Sequence, residues 1–273
     1  MSNVARYTKG HLFPLYSERT ALTTEIGRVL GGLSDADFSN LDLFTGRIRE
    51  LGEVAAETNC ALYVDAEQTF IQSAIESFGQ QMTHQLNQGD KSLIMNGYQC
   101  YLKRMGQVIP MEVRASAEFG YNLGIKLIRG AYMNEERNLA SEHGRESPVW
   151  DTIEDTHKCY NTNMAHILRS MKPADILFVA SHNVDTVALA KEITSERGLT
   201  QSVRFGQLRG FSDQVTSEIC SSGFEVYKYV PFGPTEQVMP YLVRRGQESR
   251  QVLREQQFQN TVLKQEILSR FRF

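Results

Sequence analysis

Short apolar runs alternate with longer amphipathic stretches along most of this chain. Six runs have the length and the β-branched or aromatic content of buried strands. They are Cys60–Asp65 (CALYVD), Ser92–Tyr98 (SLIMNGY), Ile125–Gly130 (IKLIRG), Ile176–Ser181 (ILFVAS), Val203–Leu208 (VRFGQL) and Val226–Pro231 (VYKYVP). Between them, helical spacing is found around Phe70–Leu86, Met111–Leu123, Thr152–Ser170, Thr186–Glu196 and Ser212–Ser222. Strands separated by helices must run parallel, because a parallel pair needs a crossover long enough to hold a helix. The pattern therefore predicts an α/β fold, either a barrel or an open doubly wound sheet. Ahead of the first strand, Ser34 with Asp37 three residues on reads as a helix start. Leu41, Phe44, Ile48, Leu51 and Val54 then follow as one apolar stripe expected to pack inward. Residues 1 to about 33 contain no convincing buried strand, which divides the chain into a segment 1–34 and a folded portion 35–273.

The strand ends are polar in register. Asp65 and Glu67 follow the first run, Gln99 the second, and Arg129 with Tyr132 the third. His182 and Asn183 follow the fourth, Gln207 ends the fifth, and Tyr229 closes the sixth. A barrel of parallel strands builds its active site at the carboxyl ends, where such groups would converge. Loops need polar residues anyway, so each position alone is weak; six in register argue for one site. No G-x-G-x-x-G follows any strand, which counts against a dinucleotide-binding open sheet.

Composition narrows the classes further. The 273 residues carry a formal net charge of −3, which offers no basic face for nucleic acid. No apolar run approaches the length of a membrane-spanning helix. Peripheral membrane attachment stays open. Met1–Pro14 has Arg6 and Lys9 and no acid, yet lacks the amphipathic Arg/Ser-rich pattern of a transit peptide. The cysteines, at 60, 100, 159 and 220, form no C-x-x-C pair and read as free thiols. The histidines show no shared metal spacing, His157 and His166 read as surface positions, and no metal site is expected.

The sharpest local signal is YVPFGPTEQVMPYLVRRGQE, Tyr229 to Glu248. A helix after Pro234 would place Tyr241, Arg244, Arg245 and Glu248 on one face. Two guanidinium groups beside a tyrosine suit a planar carboxylate, although an arbitrary Arg-Arg pair is usually just a solvated face. Asp65 and Glu67 project to one side of an extended segment. They are either an acid/base pair or, the preferred reading, a counter-charge for an arginine cluster.

Six ordered blocks resemble the proline dehydrogenase family: VDAEQTF, YQCYLKR, KLIRGAYMNEER, VASHN, FGQLRGFSD and YKYVPFGPTEQVMPYLVRR. The eukaryotic mitochondrial form is the nearer match, from about Asp35 onward. The resemblance implies a distorted (β/α)8, TIM-like barrel, apparently without its first strand or strands. It implies bound FAD, oxidation of L-proline to 1-pyrroline-5-carboxylate by hydride transfer to flavin N5, and electrons passed to a membrane quinone. It also implies a mitochondrial location on the matrix side of the inner membrane. Carried over by residue, Arg244 and Arg245 would bind the substrate carboxylate, with Asp65 paired to Arg245. Tyr132, Tyr229, Tyr241 and Leu208 would wall the pyrrolidine ring, and Asp65, Tyr132 and Arg245 would be the catalytic set. Gln99, Lys126, Ile128, Arg129, Gly130, His182, Asn183, Gln207 and Glu248 would lie against the flavin. The segment Met133–Trp150 would form a long loop over it.

The resemblance also bears on substrate. Hydroxyproline-oxidising relatives tend to carry a small Ser where this chain has Tyr229, so the bulky ring predicts proline. The segment Arg244–Leu253 looks closer to the hydroxyproline branch, and the pocket residue is given more weight. The family barrel begins with strands ahead of the aligned part, one bearing a lysine for the carboxylate, and Met1–Asn59 offers no counterpart. A partial gene product, a differently closed barrel, and a non-catalytic homologue that binds a ligand or a full-length partner all stay open.

Overall fold

A computed structural model describes residues 35–248 together with Lys264, Ile267, Leu268 and Arg270. The side chains of Asp35, Phe38, Leu41, Arg244, Gln247 and Glu248 lie outside that description, as do residues 1–34. The element order is α1 (Asp35–Thr58), β1 (Leu62–Val64), α2 (Thr69–Leu86), β2 (Ile94–Gln99), α3 (Met105–Phe119), β3 (Gly124–Ile128) and α4 (Met133–Glu142). Then come α5 (Ile153–Ser170), β4 (Ile176–Ala180), α6 (Val184–Arg197), β5 (Val203–Leu208), α7 (Asp213–Ser221), β6 (Glu225–Tyr229) and α8 (Thr235–Glu248). All six expected strands form, pair in chain order and run parallel.

Register explains where the core sits. Tyr98, Leu127, Val179, Phe205 and Val226 face one another across successive strands, as do Ile125, Leu177 and Val203. These side chains belong to the layer packed under the crossover helices, with Met105, Ile109, Tyr160 and Met164 fully buried among them. The alternate positions form a second row, Gly97, Lys126, Phe178, Arg204 and Glu225. On that side Tyr63 of β1 packs edge-on against Phe178 of β4 at 5.2 Å, and Phe178 meets Tyr227 of β6 at 5.7 Å. Side chains from strands three apart can touch only if the sheet curls toward them. The six strands therefore make a rolled, partial barrel, with β1 and β6 at its ends.

Three local expectations are corrected. The apolar stripe of α1 does not all turn inward: Leu51 is 57% and Val54 54% exposed, and Phe44 reaches only an edge contact with Phe78 of α2 at 5.1 Å. The buried face is instead Thr45, Gly52 and Ala55. Small residues let α1 sit close on α2, and a Cβ at Gly52 would stand 2.7 Å from Leu86 Cδ1. The helix read from Met111 begins at Met105, with Pro110 inside it. Met105 and Ile109 are completely buried, and that anchorage outweighs one lost backbone bond. The segment read as a loop over Met133–Trp150 contains α4. Its helix carries little apolar periodicity because only Glu136 and Ala140 turn inward.

Candidate active site at the strand ends

The carboxyl ends of the strands hold the expected residues, and most have specific partners. Gln99 is 1% exposed and braces two loops. Its Nε2 donates to the Glu67 carbonyl at 2.7 Å, and its Oε1 accepts from Ala131 N–H at 3.3 Å. Tyr132 donates its hydroxyl to the Glu67 carboxylate. Burial and the Glu67 charge push the phenol up to about 12 against the opposing pull of Arg245, so Tyr132 keeps its proton near neutrality. One turn into α4, Glu136 accepts from both the backbone N–H and the hydroxyl of Thr69, each at 2.6 Å. That carboxylate occupies the N-terminus of α2, where the helix dipole favours negative charge. The pairs Tyr132–Glu67 and Glu136–Thr69 clamp α4 onto the β1–α2 loop.

The arginine helix forms as expected. Within α8 the Arg245 guanidinium lies 5.4 Å from the Tyr241 ring, and Tyr241 meets Tyr229 at 5.7 Å. Arg245 also acts electrostatically on Tyr132, so α8, the β6 end and α4 share one region. The side chains of Arg244 and Glu248, assigned to substrate and cofactor, lie outside the described residues. Tyr229 is exposed, and Leu208 is half-buried.

One expected partnership differs. Asp65 does not pair with Arg245; its carboxylate is bound by Lys126 Nζ. Lys126 faces Gly97 on the intervening strand, so no side chain from β2 stands between β3 and the end of β1. Asp65 remains largely exposed, as a counter-charge that has found a lysine rather than an arginine. Arg129, expected against the flavin, is held by protein groups on its guanidinium. Its guanidinium is taken up by His157 Nδ1 at 2.8 Å, Ser181 Oγ at 2.8 Å and Thr186 Oγ1 at 2.9 Å, and it stacks 4.4 Å from the Tyr160 ring. His157 is therefore half-buried at a junction of elements, not a surface position. A lone histidine on a polar helix gives no sequence signal for this.

The remaining cofactor candidates divide into supports and open groups. Asn183 caps α6, its Oδ1 accepting from Thr186 N–H at 2.8 Å. Gln207 Oε1 accepts from Thr216 and from Lys228 Nζ, the latter at 3.0 Å. Ile128 ends β3, and Gly130 follows with φ 147°, where a Cβ would stand 1.9 Å from Tyr101 Cδ1. Only glycine meets both demands. His182 accepts at Nε2 from Leu208 N–H at 3.1 Å, which leaves the proton on Nδ1. Among the described residues that Nδ1 is buried without a partner, and burial holds the imidazole neutral with its pKa lowered to about 4. A fixed, unsatisfied N–H beside the strand ends is what a ring acceptor of a bound cofactor would meet, and a flavin, which carries such acceptors, fits it.

Cys100 and Cys159 are buried free thiols, and Cys60 and Cys220 are exposed. Among the described residues no His/Cys/Asp/Glu group of three could hold a metal ion, and no helix is long and apolar enough to cross a membrane.

Comparison with known proteins gives the family and the fold. The family model described as proline dehydrogenase matches residues 5–257. "Proline dehydrogenase 1, mitochondrial" of Caenorhabditis elegans is 35% identical over 268 residues, and its Homo sapiens counterpart 36% over 258. These matches cover 96% and 92% of this chain and 43% of each relative, so the chain spans less than half of their length. The hydroxyproline dehydrogenase of Rattus norvegicus is 34% identical over 94% of this chain and 58% of its own. In fold, the chain is similar to a proline utilization A from Bdellovibrio bacteriovorus inactivated by N-propargylglycine. The TM-score is 0.69 at 22% identity, covering 76% of this chain and 22% of that one.

Proposed function

This chain belongs to the proline dehydrogenase family, and from that premise we propose that it serves flavin-dependent oxidation of L-proline to 1-pyrroline-5-carboxylate. The observation that carries the reading is the cluster of Arg245, Tyr241 and Tyr229 at the end of β6, whose charge reaches Tyr132, together with the His182 N–H at the end of β4 that has no partner among the described residues.

The cofactor is FAD, which when bound supplies a hydride acceptor for the C5 carbon of proline. The protein supplies placement. Arg245, joined by Arg244, grips the substrate carboxylate; a guanidinium backed by an aromatic face keeps a fixed orientation for that bond. Tyr229, Tyr241, Tyr132 and Leu208 wall the ring and exclude water, which favours a hydride over a proton exchange with solvent. Tyr132 holds its proton throughout. Lys126 brings a positive charge to the strand ends, steadied by Asp65, and His182 Nδ1–H and the Ile128–Gly130 backbone face the cofactor. Gln99, Asn183 and Gln207 hold the loops that carry these groups. Electrons then pass to a quinone at the matrix side of the inner mitochondrial membrane, with peripheral attachment there.

Hydroxyproline dehydrogenases are nearly as similar in sequence, so the family alone does not choose the substrate. Tyr229 lies against Tyr241; its bulky phenol would crowd a ring hydroxyl, which favours proline.

An absorbance scan of the full chain after FAD loading tests the reading. Flavin bands that bleach on anaerobic addition of proline support it, and Arg245→Met should keep the bands and lose the bleaching. Protein that stays colourless and indifferent to proline would leave the non-catalytic homologue standing.

A further inference from the structure

Arg129 is half-buried among neutral partners drawn from three elements. Its Nε–H donates to His157 of α5, its two terminal nitrogens donate to Ser181 at the end of β4 and Thr186 of α6, and its plane covers Tyr160. These partners are themselves fixed. Thr186 donates to Asn161 Oδ1 at 2.7 Å, and Tyr160 donates to the Leu127 carbonyl at 2.9 Å. Ser181 Oγ accepts a second bond, from Asn183 N–H at 3.1 Å. The Ser181–Asn183 turn that carries His182 is thus shaped by the same hydroxyl that Arg129 holds.

One partner can change its character. Nδ1 of His157 accepts only while the imidazole is neutral with its proton on Nε2. Protonation would set an N–H against an N–H and one cation against another. The groups facing His157 are Arg129 just past β3, Glu154 of its own helix and Asp185 of α6. Burial and Arg129 hold its pKa below the ordinary 6.5, against the pull of the two acids. Because the folded value is depressed, the contribution is whole above the unfolded pKa and is lost as pH falls through the folded one.

We propose that His157 is a positioning residue, whose neutral Nδ1 holds the Arg129 guanidinium and, through Ser181, the His182 turn, so that acid releases the turn and weakens flavin retention. The hold is a property of this chain alone; its effect on flavin rests on the function proposed above.

Two variants separate the possibilities. His157→Asn keeps an acceptor near the Nδ1 position and does not titrate, whereas His157→Phe keeps ring volume and removes the acceptor. The Arg129 Nε–H resonance, read by nitrogen-15 NMR, should be protected from exchange at pH 7.5 in the unmodified chain and lose protection toward pH 5.5. It should persist across that range in His157→Asn and be unprotected throughout in His157→Phe. The FAD dissociation constant, read by quenching of flavin fluorescence, should rise about tenfold over the same acidification. In His157→Asn it should stay flat. A protected resonance in His157→Phe, or an acid loss of FAD affinity in His157→Asn equal to that of the unmodified chain, overturns the proposal. If the unmodified chain binds no FAD at pH 7.5, the flavin reading fails. The resonance alone then judges the hold, its acid loss and rescue by Asn supporting it and its persistence with Phe refuting it.

Discussion

Glu112 of α3 is 2% exposed, and among the described residues no cation pairs with it. Its carboxyl accepts from Tyr121 OH and Gln80 Nε2, both at 2.9 Å. Burial, aided by the charge of Glu76, outweighs those two bonds, and the carboxyl rises from 4.5 to about 7. A raised carboxyl pKa means the fold prefers the protonated form. Its contribution is whole below the unfolded value near 4.5 and is lost as pH climbs through about 7. At about 1.4 kcal/mol per tenfold change in acidity, ionising Glu112 at pH 8.5 costs the fold about 3 kcal/mol. Glu112→Gln removes that charge; a turned Gln80 amide can still bond the new side chain. Thermal unfolding of both proteins from pH 4.5 to 8.5 should show matching midpoints at the acid end. At the alkaline end the variant should melt roughly 6–12 °C higher, given about 2–4 °C per kcal/mol for a domain of this size. The consequence reaches the site, because Gln72 of α2 links Glu76 to the Glu67 backbone. Parallel midpoint curves across the whole range would refute the reasoning.

Three further outcomes follow from single contacts. Glu136→Ala strips both bonds from Thr69 at the start of α2, and should cost about 2 kcal/mol in urea unfolding and speed amide exchange over residues 66–70. Unchanged exchange there would mean α4 is held by something else. Gly130→Ala places a Cβ on the Tyr101 ring in a backbone conformation that L residues avoid, and should lower stability by about 3 kcal/mol, with Gly106→Ala as the exposed-site comparison. Tyr229→Ser opens the wall beside Tyr241 and should raise the ratio of hydroxyproline to proline turnover at least about tenfold. A ratio that does not move would remove Tyr229 from substrate choice.

Periodicity and composition determined the frame of this protein. Short β-branched runs such as ILFVAS and VRFGQL have few other places to go than a parallel sheet, and helices between them leave only crossover connections. The same logic put polar residues at the strand ends, because period and length are local properties of the chain. What only the tertiary structure decided was partnership. Asp65 meets Lys126 instead of Arg245, Arg129 turns to His157, and α1 buries Thr45, Gly52 and Ala55 rather than all of its apolar stripe. Helix α4 went unread because polar pairs, Tyr132 with Glu67 and Glu136 with Thr69, hold it, with no apolar repeat behind them. A charge or a hydrogen bond is satisfied by whichever group the fold brings within 3 Å, and residues 61 positions apart in the chain carry no local mark of that meeting.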